Sequence, residues 1–220
     1  MTQFTKVMEY TISRTKRNLI IFSAVFLILK AIIVVFVFFA REYAAHDHTL
    51  GIILSILQII PYSYIMLVLS GYFNYYKLKA LRMTTLILLL IEISGNMLQY
   101  LNQAEMFNQA ERTVPRYIAI GNGVVWTLIL IIWIILLFRI SATDFPALIS
   151  IRKYAISVIT VILLSGTLPF MISKFIDIQK YIGIVFVMIG VLPYFFYIEF
   201  GLKLPGKETN PTGNLSRDML

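Results

Sequence analysis

The chain of 220 residues contains no cysteine and only two histidines, so several kinds of active site have little to be built from. Without cysteine there is no disulfide, no thiolate metal site and no cysteine nucleophile. Both histidines lie in one short segment, His46-Asp47-His48, which has too few ligands to bind zinc or copper by itself. We therefore expect no metal site, no cofactor and no catalytic group, and predict that the protein is not an enzyme.

Charged residues are also scarce, at 14% of the chain against roughly 25% in a typical soluble domain. Hydrophobic residues make up 59% of the chain, and its mean hydropathy is +0.83. A soluble protein of this length cannot hide so much apolar surface in one core, so the excess must face lipid. We expect a multi-pass integral membrane protein whose immediate partner is the lipid bilayer.

Six apolar runs account for the excess, and each has about the length, roughly 20 residues, that spans the hydrocarbon core of a bilayer. Lipid offers the backbone no hydrogen-bond partners, so each run is predicted to be a helix. The expected fold is all-α, a bundle of six transmembrane helices in one domain over residues 1–203. A tail rich in Pro, Gly and Asn, residues 204–220, is predicted to be disordered and cytoplasmic. The helices are predicted at about 19–39, 50–70, 83–101, 117–138, 154–173 and 181–201.

Lysine and arginine are divided unequally between the two sides of the predicted bundle, and this bias sets the orientation. One side holds 13 of the 19 basic residues and the other holds 5, while Lys30 lies inside a helix. The bias predicts that both termini face the cytoplasm, in a bacterial cytoplasmic (inner) membrane. The net charge of +8 is then explained by topology and by anionic lipid headgroups, so no nucleic-acid partner is expected. The 13 residues are Lys6, Arg14, Lys16, Arg17, Lys77, Lys79, Arg82, Arg139, Arg152, Lys153, Lys203, Lys207 and Arg217.

Two segments are predicted to lie at the membrane interface. The aromatic residues that end the second predicted helix are expected at headgroup level, where such rings are favoured. They are Tyr72, Phe73, Tyr75 and Tyr76. Residues 141–151 carry four apolar side chains in a short connection, and this pattern predicts a short helix lying in the inner interface.

The main candidate for function is a set of polar residues in the middle of the predicted helices. A lone charge at that depth costs roughly 3 kcal/mol or more, so Lys30 and Glu92 are expected to pair. Gln58 lies near the same depth, and Asn96 falls on the same helix face as Glu92 because the two are four residues apart. These residues predict a polar seam between the first three helices. The seam suits either a substrate or ion pathway or a dry bundle held by interhelical hydrogen bonds, with Lys30 reaching toward the headgroups as a further alternative.

Three prolines, Pro61, Pro169 and Pro193, fall within predicted helices and are expected to break or kink them. Transporters use such breaks to expose backbone to ligands, although proline is also ordinary in membrane helices. The segments IIPYSYI around Pro61 and VLPYFFYI around Pro193 are similar, which suggests a parallel repeat. Small residues in Gly121-Asn122-Gly123 favour close helix packing.

These features favour a small-solute or ion transporter or channel, or the membrane subunit of one. The alternative is a non-transporting accessory, assembly or sensing subunit that binds partner helices, either in other membrane proteins or in further copies of the chain. Accessibility separates the two hypotheses. A solvent-reaching cavity lined by Lys30, Gln58 and Glu92 favours transport, whereas a sealed core favours the accessory role.

Overall fold

The computed structural model describes residues 10–40, 48–103, 113–141, 145–172 and 179–207. The all-α prediction is confirmed for these ranges, and each helix is several residues longer than the apolar run that predicted it. Two strands of two residues each flank the helices, β1 (Ile12–Ser13) and β2 (Gly206–Lys207). The helices are α1 (Arg14–Ala40), α2 (His48–Tyr75), α3 (Lys79–Gln103), α4 (Thr113–Phe138), α5 (Pro146–Ile172) and α6 (Gln179–Lys203).

Four helices contain described stretches that are long and apolar enough to cross a membrane. They are Ile56–Tyr75, Lys79–Leu98, Ile120–Phe138 and Ala147–Leu164, in α2, α3, α4 and α5. Large apolar side chains on their outer faces, such as Leu90, Leu128 and Leu163, are more than half exposed. Apolar surface of this extent is typical of a protein that faces lipid. The six crossings and the orientation predicted from the sequence go beyond these four stretches and stay predictions.

The six helices close into a ring. Each helix packs against the next along the chain, and α6 packs against α1. The contact between α4 and α5 is the slightest of the six. Large side chains bridge the middle of the ring, as where the Tyr197 hydroxyl of α6 lies 3.7 Å from the Met66 sulfur of α2.

The two described ends of the chain meet at one end of the ring. There β1 pairs in parallel with β2, with Ile12 opposite Gly206, and the Ile12 N–H donates to the Pro205 carbonyl at 3.1 Å. We call this the basic end, because α1, α3 and α5 begin there, α2, α4 and α6 end there, and most of the described lysines and arginines lie there. Leu204 is only 1% exposed, so residues 204–207 belong to the folded bundle rather than to a disordered tail. Residues 208–220 lie outside the described ranges.

An aromatic cluster fills the basic end. Tyr72 and Phe73 are 1% and 0% exposed, so these two rings pack inside the bundle at this end rather than facing outward. The Tyr72 ring packs edge-on against Tyr10 and Phe200, with centroids 5.5 and 5.6 Å apart, and such pairs add stability beyond the area they bury. The Tyr10 N–H donates to the Tyr76 hydroxyl at 3.0 Å, which ties the segment before α1 to the end of α2. The cluster consists of Tyr10, Tyr72, Tyr75, Tyr76, Phe145 and Phe200.

Within the segment predicted to lie flat in the interface, residues 146–151 instead form the first turns of α5, and residues 142–144 lie outside the described ranges. Leu148 and Ile151 are 0% and 1% exposed, so this segment packs into the bundle core. The Arg152 guanidinium donates to the Leu137 carbonyl at 3.1 and 3.3 Å and also to the Ile140 carbonyl. The Leu137 carbonyl is one that the end of α4 leaves without a helical partner, Ile140 follows that end by two residues, and a cation is favoured at the negative end of the helix dipole. Arg152 therefore holds α4 and α5 together at the basic end.

Candidate functional site

Four polar side chains form one hydrogen-bonded chain across α1, α2 and α3. The Lys30 ammonium donates to the Gln58 side-chain oxygen, and the Gln58 amide nitrogen donates to the Asn96 side-chain oxygen. Asn96 Nδ2 then donates to the Glu92 backbone carbonyl at 2.8 Å and to Glu92 Oε1 at 3.3 Å. The structure thus brings together Lys30, Gln58, Glu92 and Asn96, and we call these four residues the polar chain.

The polar chain lies near the middle of its helices. Lys30 follows the start of α1 by 16 residues, Glu92 follows the start of α3 by 13, and Gln58 precedes the end of α2 by 17. At a rise of about 1.5 Å per residue, all three lie roughly 20 to 26 Å along their helices from the basic end. Neighbouring antiparallel helices bring residues of equal depth together, which explains why these side chains meet.

Lys30 and Glu92 do not form the direct ion pair expected from the sequence. Among the described residues, the ion pairs within 4.0 Å belong to Glu199 at the basic end. Inside the bundle, two amides connect the opposite charges. Each charge meets the amide atom that suits it, because the ammonium needs an acceptor and the carboxylate needs a donor. Lys30 therefore turns toward the inside of the bundle rather than toward the headgroups.

A small cavity of about 20 Å³ adjoins the polar chain. A space of this size holds about one water molecule, and such a water needs two to four polar partners. Polar side chains of α2, α3 and α6 around the cavity can supply those partners, while α1 contributes the apolar Leu27. The lining residues are Leu27, Gln58, Ile59, Tyr62, Glu92, Ile93, Asn96 and Tyr194.

α4 adds a hydrogen-bond donor beside the carboxyl group. The Trp126 side chain lies next to Glu92. Its indole N–H is buried and has no partner with good hydrogen-bond geometry among the described residues. A buried donor without a partner costs about 1–3 kcal/mol, and a carboxylate or a water in the cavity would remove that cost.

Tyrosines extend the polar lining from Glu92 toward the basic end. Tyr62 of α2 and Tyr194 of α6 line the cavity itself. Tyr154 of α5 is a neighbour of Tyr62, and the rings of Tyr154 and Tyr197 stack with centroids 4.2 Å apart. The polar residues that predicted a seam between the first three helices gave no indication that Tyr154, Tyr194 or Tyr197 would lie near it. The similarity around Pro61 and Pro193 contains a usable signal, because in both segments a Pro-Tyr pair supplies a cavity tyrosine.

The three prolines lie within continuous helices. α2 runs through Pro61, α5 through Pro169 and α6 through Pro193, so none of them ends a helix as a break would. Pro61 and Pro193 still border the site, since each directly precedes a tyrosine that lines the cavity.

Close packing at Gly121-Asn122-Gly123 comes from the asparagine rather than from the glycines. A Cβ on either glycine would meet nothing within 4 Å. Asn122 Nδ2 donates to the Ile91 carbonyl of α3 at 3.2 Å, and Ser94 Oγ donates to Asn122 Oδ1 at 3.1 Å. Gly95 leaves room for this side chain, because a Cβ there would lie 2.7 Å from Asn122 Nδ2.

The site offers one acid, one base, two amides and several phenols around space for one water molecule. In the part of the chain that the structure describes, no three His, Cys, Asp or Glu residues are grouped so that they could hold a metal ion, while His46 and Asp47 lie outside that part. This set of groups is suited to binding a proton or a small polar species. No protein-family model, characterised protein or solved structure matches the chain, so its function is inferred from the site itself.

Proposed function

We propose that the chain is an integral membrane protein that moves a small solute or an ion, as a transporter or channel or as the membrane subunit of one. The observation that carries the proposal is the polar chain beside a cavity in the middle of long apolar helices. A charged group at that depth costs roughly 3 kcal/mol or more, and such groups are usually found on substrate or ion pathways. The Lys30–Gln58–Asn96–Glu92 chain is the proposed pathway, and the mechanism needs no cofactor and no covalent step.

The proposed topology has six crossings, with both termini and the basic end in the cytoplasm of a bacterial cell. The meeting of β1 with β2 supports the placement of both chain ends on one side. The excess of lysine and arginine at that end supports its cytoplasmic location, because basic residues are retained on the cytoplasmic side.

A second candidate is a non-transporting accessory, assembly or sensing subunit that binds partner helices or a second copy of the chain. Two observations favour it. The cavity has space for about one water molecule, and the aromatic cluster fills the basic end of the ring. In this role the polar chain would hold α1, α2 and α3 together through interhelical hydrogen bonds, and the apolar outer faces would contact the partners.

Reconstitution of the purified chain into liposomes tests the proposal. Dyes sensitive to Na⁺, K⁺ and H⁺ report flux under an imposed gradient and membrane potential, and we expect wild-type flux above that of protein-free liposomes. Glu92→Gln should slow the flux by about tenfold or more, which corresponds to the loss of about 1.4 kcal/mol in one step. Glu199→Gln is the matched control, since this carboxylate pairs with lysines at the basic end, and it should leave the flux unchanged. Wild-type flux equal to that of empty liposomes would reject transport by the isolated chain and favour the accessory role.

A further inference from the structure

The cavity is a poor site for a metal cation or an anion. Two of its side-chain oxygens are already engaged, since Gln58 accepts from Lys30 and Asn96 accepts from Gln58. A hard cation requires a shell of several oxygen ligands, and the ammonium held at Gln58 would repel it. An anion would meet the Glu92 carboxylate. A proton needs one basic oxygen and no coordination shell, so it is the ion that this lining suits.

Titratable or polar side chains lie near Glu92 on each of the other five helices of the ring. The titratable neighbours are Lys30 on α1, Tyr62 on α2, Tyr154 on α5 and Tyr194 on α6. The α4 neighbour, Trp126, adds an uncharged N–H donor. The ammonium and the donors favour the carboxylate, whereas the low dielectric of the bundle favours the neutral acid. Opposed influences of this kind allow a group to exchange between its two forms.

We infer that Glu92 takes up and releases a proton, and that the hydroxyl groups of Tyr62 and Tyr154 pass it toward the basic end. The inference rests on the proposed function and names its ion. On uptake, an O–H bond of a hydrated proton that enters the cavity breaks and an O–H bond forms at a carboxylate oxygen of Glu92, which leaves a neutral water molecule. On release that bond breaks, and the proton moves to a water in the cavity or to the Tyr62 hydroxyl oxygen. Tyr62 then gives its own hydroxyl proton to the Tyr154 oxygen, Tyr154 gives its own to Tyr197, and Tyr197 gives its own to water at the basic end. Every phenol therefore ends with one proton, and one proton has crossed to the basic end.

The tyrosine route follows the geometry of the ring. Tyr62 lines the cavity and has Tyr154 as a neighbour, and the rings of Tyr154 and Tyr197 stack with centroids 4.2 Å apart. Tyr197 is 1% exposed and lies six residues before the end of α6, close to the basic end. The Tyr72 hydroxyl, in the aromatic cluster beyond, is also buried and has no hydrogen-bond partner among the described residues. Buried phenol groups thus lie both in the middle of the bundle and at its basic end.

Infrared difference spectroscopy of the full chain in lipid nanodiscs tests the exchange at Glu92 directly, without depending on flux. As the pH is lowered from about 9 to about 4, a range that covers ordinary and raised carboxyl titration, a carbonyl band of a protonated carboxyl group should appear. Glu92→Gln should remove this band, Glu92→Asp should shift its frequency, and Glu199→Gln should leave it in place. A band that neither change at Glu92 alters would overturn the inference. Glu92→Asp keeps the carboxyl group and serves if Glu92→Gln does not fold.

The hydroxyl route is tested by the rate at which this band responds to a pH jump. Tyr62→Phe and Tyr154→Phe keep the ring and remove the hydroxyl, and each should slow the response by at least about tenfold, a modest value for losing a proton-transfer group. Tyr117→Phe is the matched control, because Tyr117 is 74% exposed and lies at the opposite end of α4 from the basic end. An unchanged rate in both hydroxyl-deleted variants would overturn the route.

The liposome experiment separates a failure of this inference from a failure of the proposed function. If Glu92→Gln still carries Na⁺ or K⁺ and the internal pH does not change, the proton is not the transported ion. The proposal that the chain is a transporter or channel would remain supported. If the infrared band of Glu92 titrates but the liposomes show no ion flux, transport by the chain is rejected. Proton exchange at Glu92 would remain supported. The expected result is proton flux that Glu92→Gln slows by about tenfold, accompanied by a titrating band.

Discussion

At the scale of single residues, Gln58 occupies the central position of the polar chain because its amide has both an acceptor and donors. Its oxygen accepts from Lys30, and its nitrogen donates to Asn96. An aspartate or a lysine at this position could make only one of these two bonds, since each offers only one polarity when charged. A neutral amide therefore connects a cation on α1 to an acid on α3 without adding a further charge to the bundle.

Replacing Gln58 by leucine keeps the approximate size of the side chain and removes both polar groups. We expect a loss of about 1–3 kcal/mol in stability, because the Lys30 ammonium and the Asn96 oxygen are left without partners in a low dielectric. Thermal unfolding in nanodiscs measures the loss. Thr127→Ala is the control, since this exposed hydroxyl donates to the Gly123 carbonyl of its own helix, and it should change little. In the Gln58→Leu background, Lys30→Met should cost less than it does alone, and strictly additive costs would contradict the proposed coupling.

The polar chain also marks where sequence-based prediction succeeds and where it stops. A rise of about 1.5 Å per residue is enough to show that Lys30, Gln58 and Glu92 share a depth. Depth alone cannot show which side chains lie between two charges, so the expected ion pair was wrong and the amide bridge was missed. The Tyr154 and Tyr197 contacts depend on how α5 and α6 rotate about their axes, and uniformly apolar helices carry little periodic signal for that rotation.

At the scale of the helices, Gly95 makes room for one of the polar contacts that join α3 to α4. The Asn122 side chain is held by bonds to the Ile91 carbonyl and the Ser94 hydroxyl, directly over the Gly95 Cα. The sequence indicated close packing at this place on α4 but assigned it to the flanking glycines. A glycine that admits a partner side chain and a glycine that faces lipid look alike in one sequence, and only the arrangement of the helices distinguishes them.

Alanine substitutions at three glycines test this contact, because they are expected to change the stability of the protein in opposite directions. Alanine is favoured over glycine in a helix by about 0.8–1.0 kcal/mol, so Gly121→Ala and Gly123→Ala, whose new methyl groups meet nothing, should be neutral or stabilising. Gly95→Ala gains the same propensity but pushes Asn122 from its partners, and overpacking of this kind costs about 1–3 kcal/mol. We expect a net destabilisation by Gly95→Ala in thermal unfolding. Adding Asn122→Ala should reverse part of that loss, and three glycine variants with equal effects would show that Gly95 has no special role.

At the scale of the whole molecule, the ring is closed twice at the basic end. α6 packs against α1, and the β1–β2 pair joins the segments outside those two helices. The sequence predicted the six helices and a shared side for the two termini. It did not predict the strand pair, because a strand of two residues is too short to show the alternation of apolar and polar residues by which strands are recognised. Because the strand pair places Ile12 opposite Gly206, the topology can be tested at the two ends of the described chain.

Cysteines placed at Ile12 and Gly206 test the closure and the topology in one chain. The two residues are opposite partners in the strand pair, and neighbouring strands lie about 4.7–4.9 Å apart, within the roughly 4.4–6.8 Å between Cα atoms that a disulfide spans. The chain has no cysteine of its own, and Gly206 does not have a positive φ that a side chain would strain, so the introduced pair is unique and compatible with the fold. Mild oxidation should therefore link Ile12→Cys to Gly206→Cys, as detected by mass spectrometry of the digested protein. Ile12→Cys with Leu202→Cys is the matched control and should stay reduced, since Leu202 is 63% exposed on α6.

Single cysteines at two exposed positions of this end, Thr11→Cys before α1 and Leu202→Cys at the end of α6, report the side of the membrane on which the basic end lies. A thiol reagent that cannot cross the bilayer should leave both unlabelled in intact cells and should label both once the membrane is opened, because retained lysines and arginines place that end inside. Labelling of both in intact cells would reverse the orientation while keeping the ring. Labelling of only one would place the two chain ends on opposite sides, which the strand pair forbids, and both the closed ring and the even number of crossings would then be wrong.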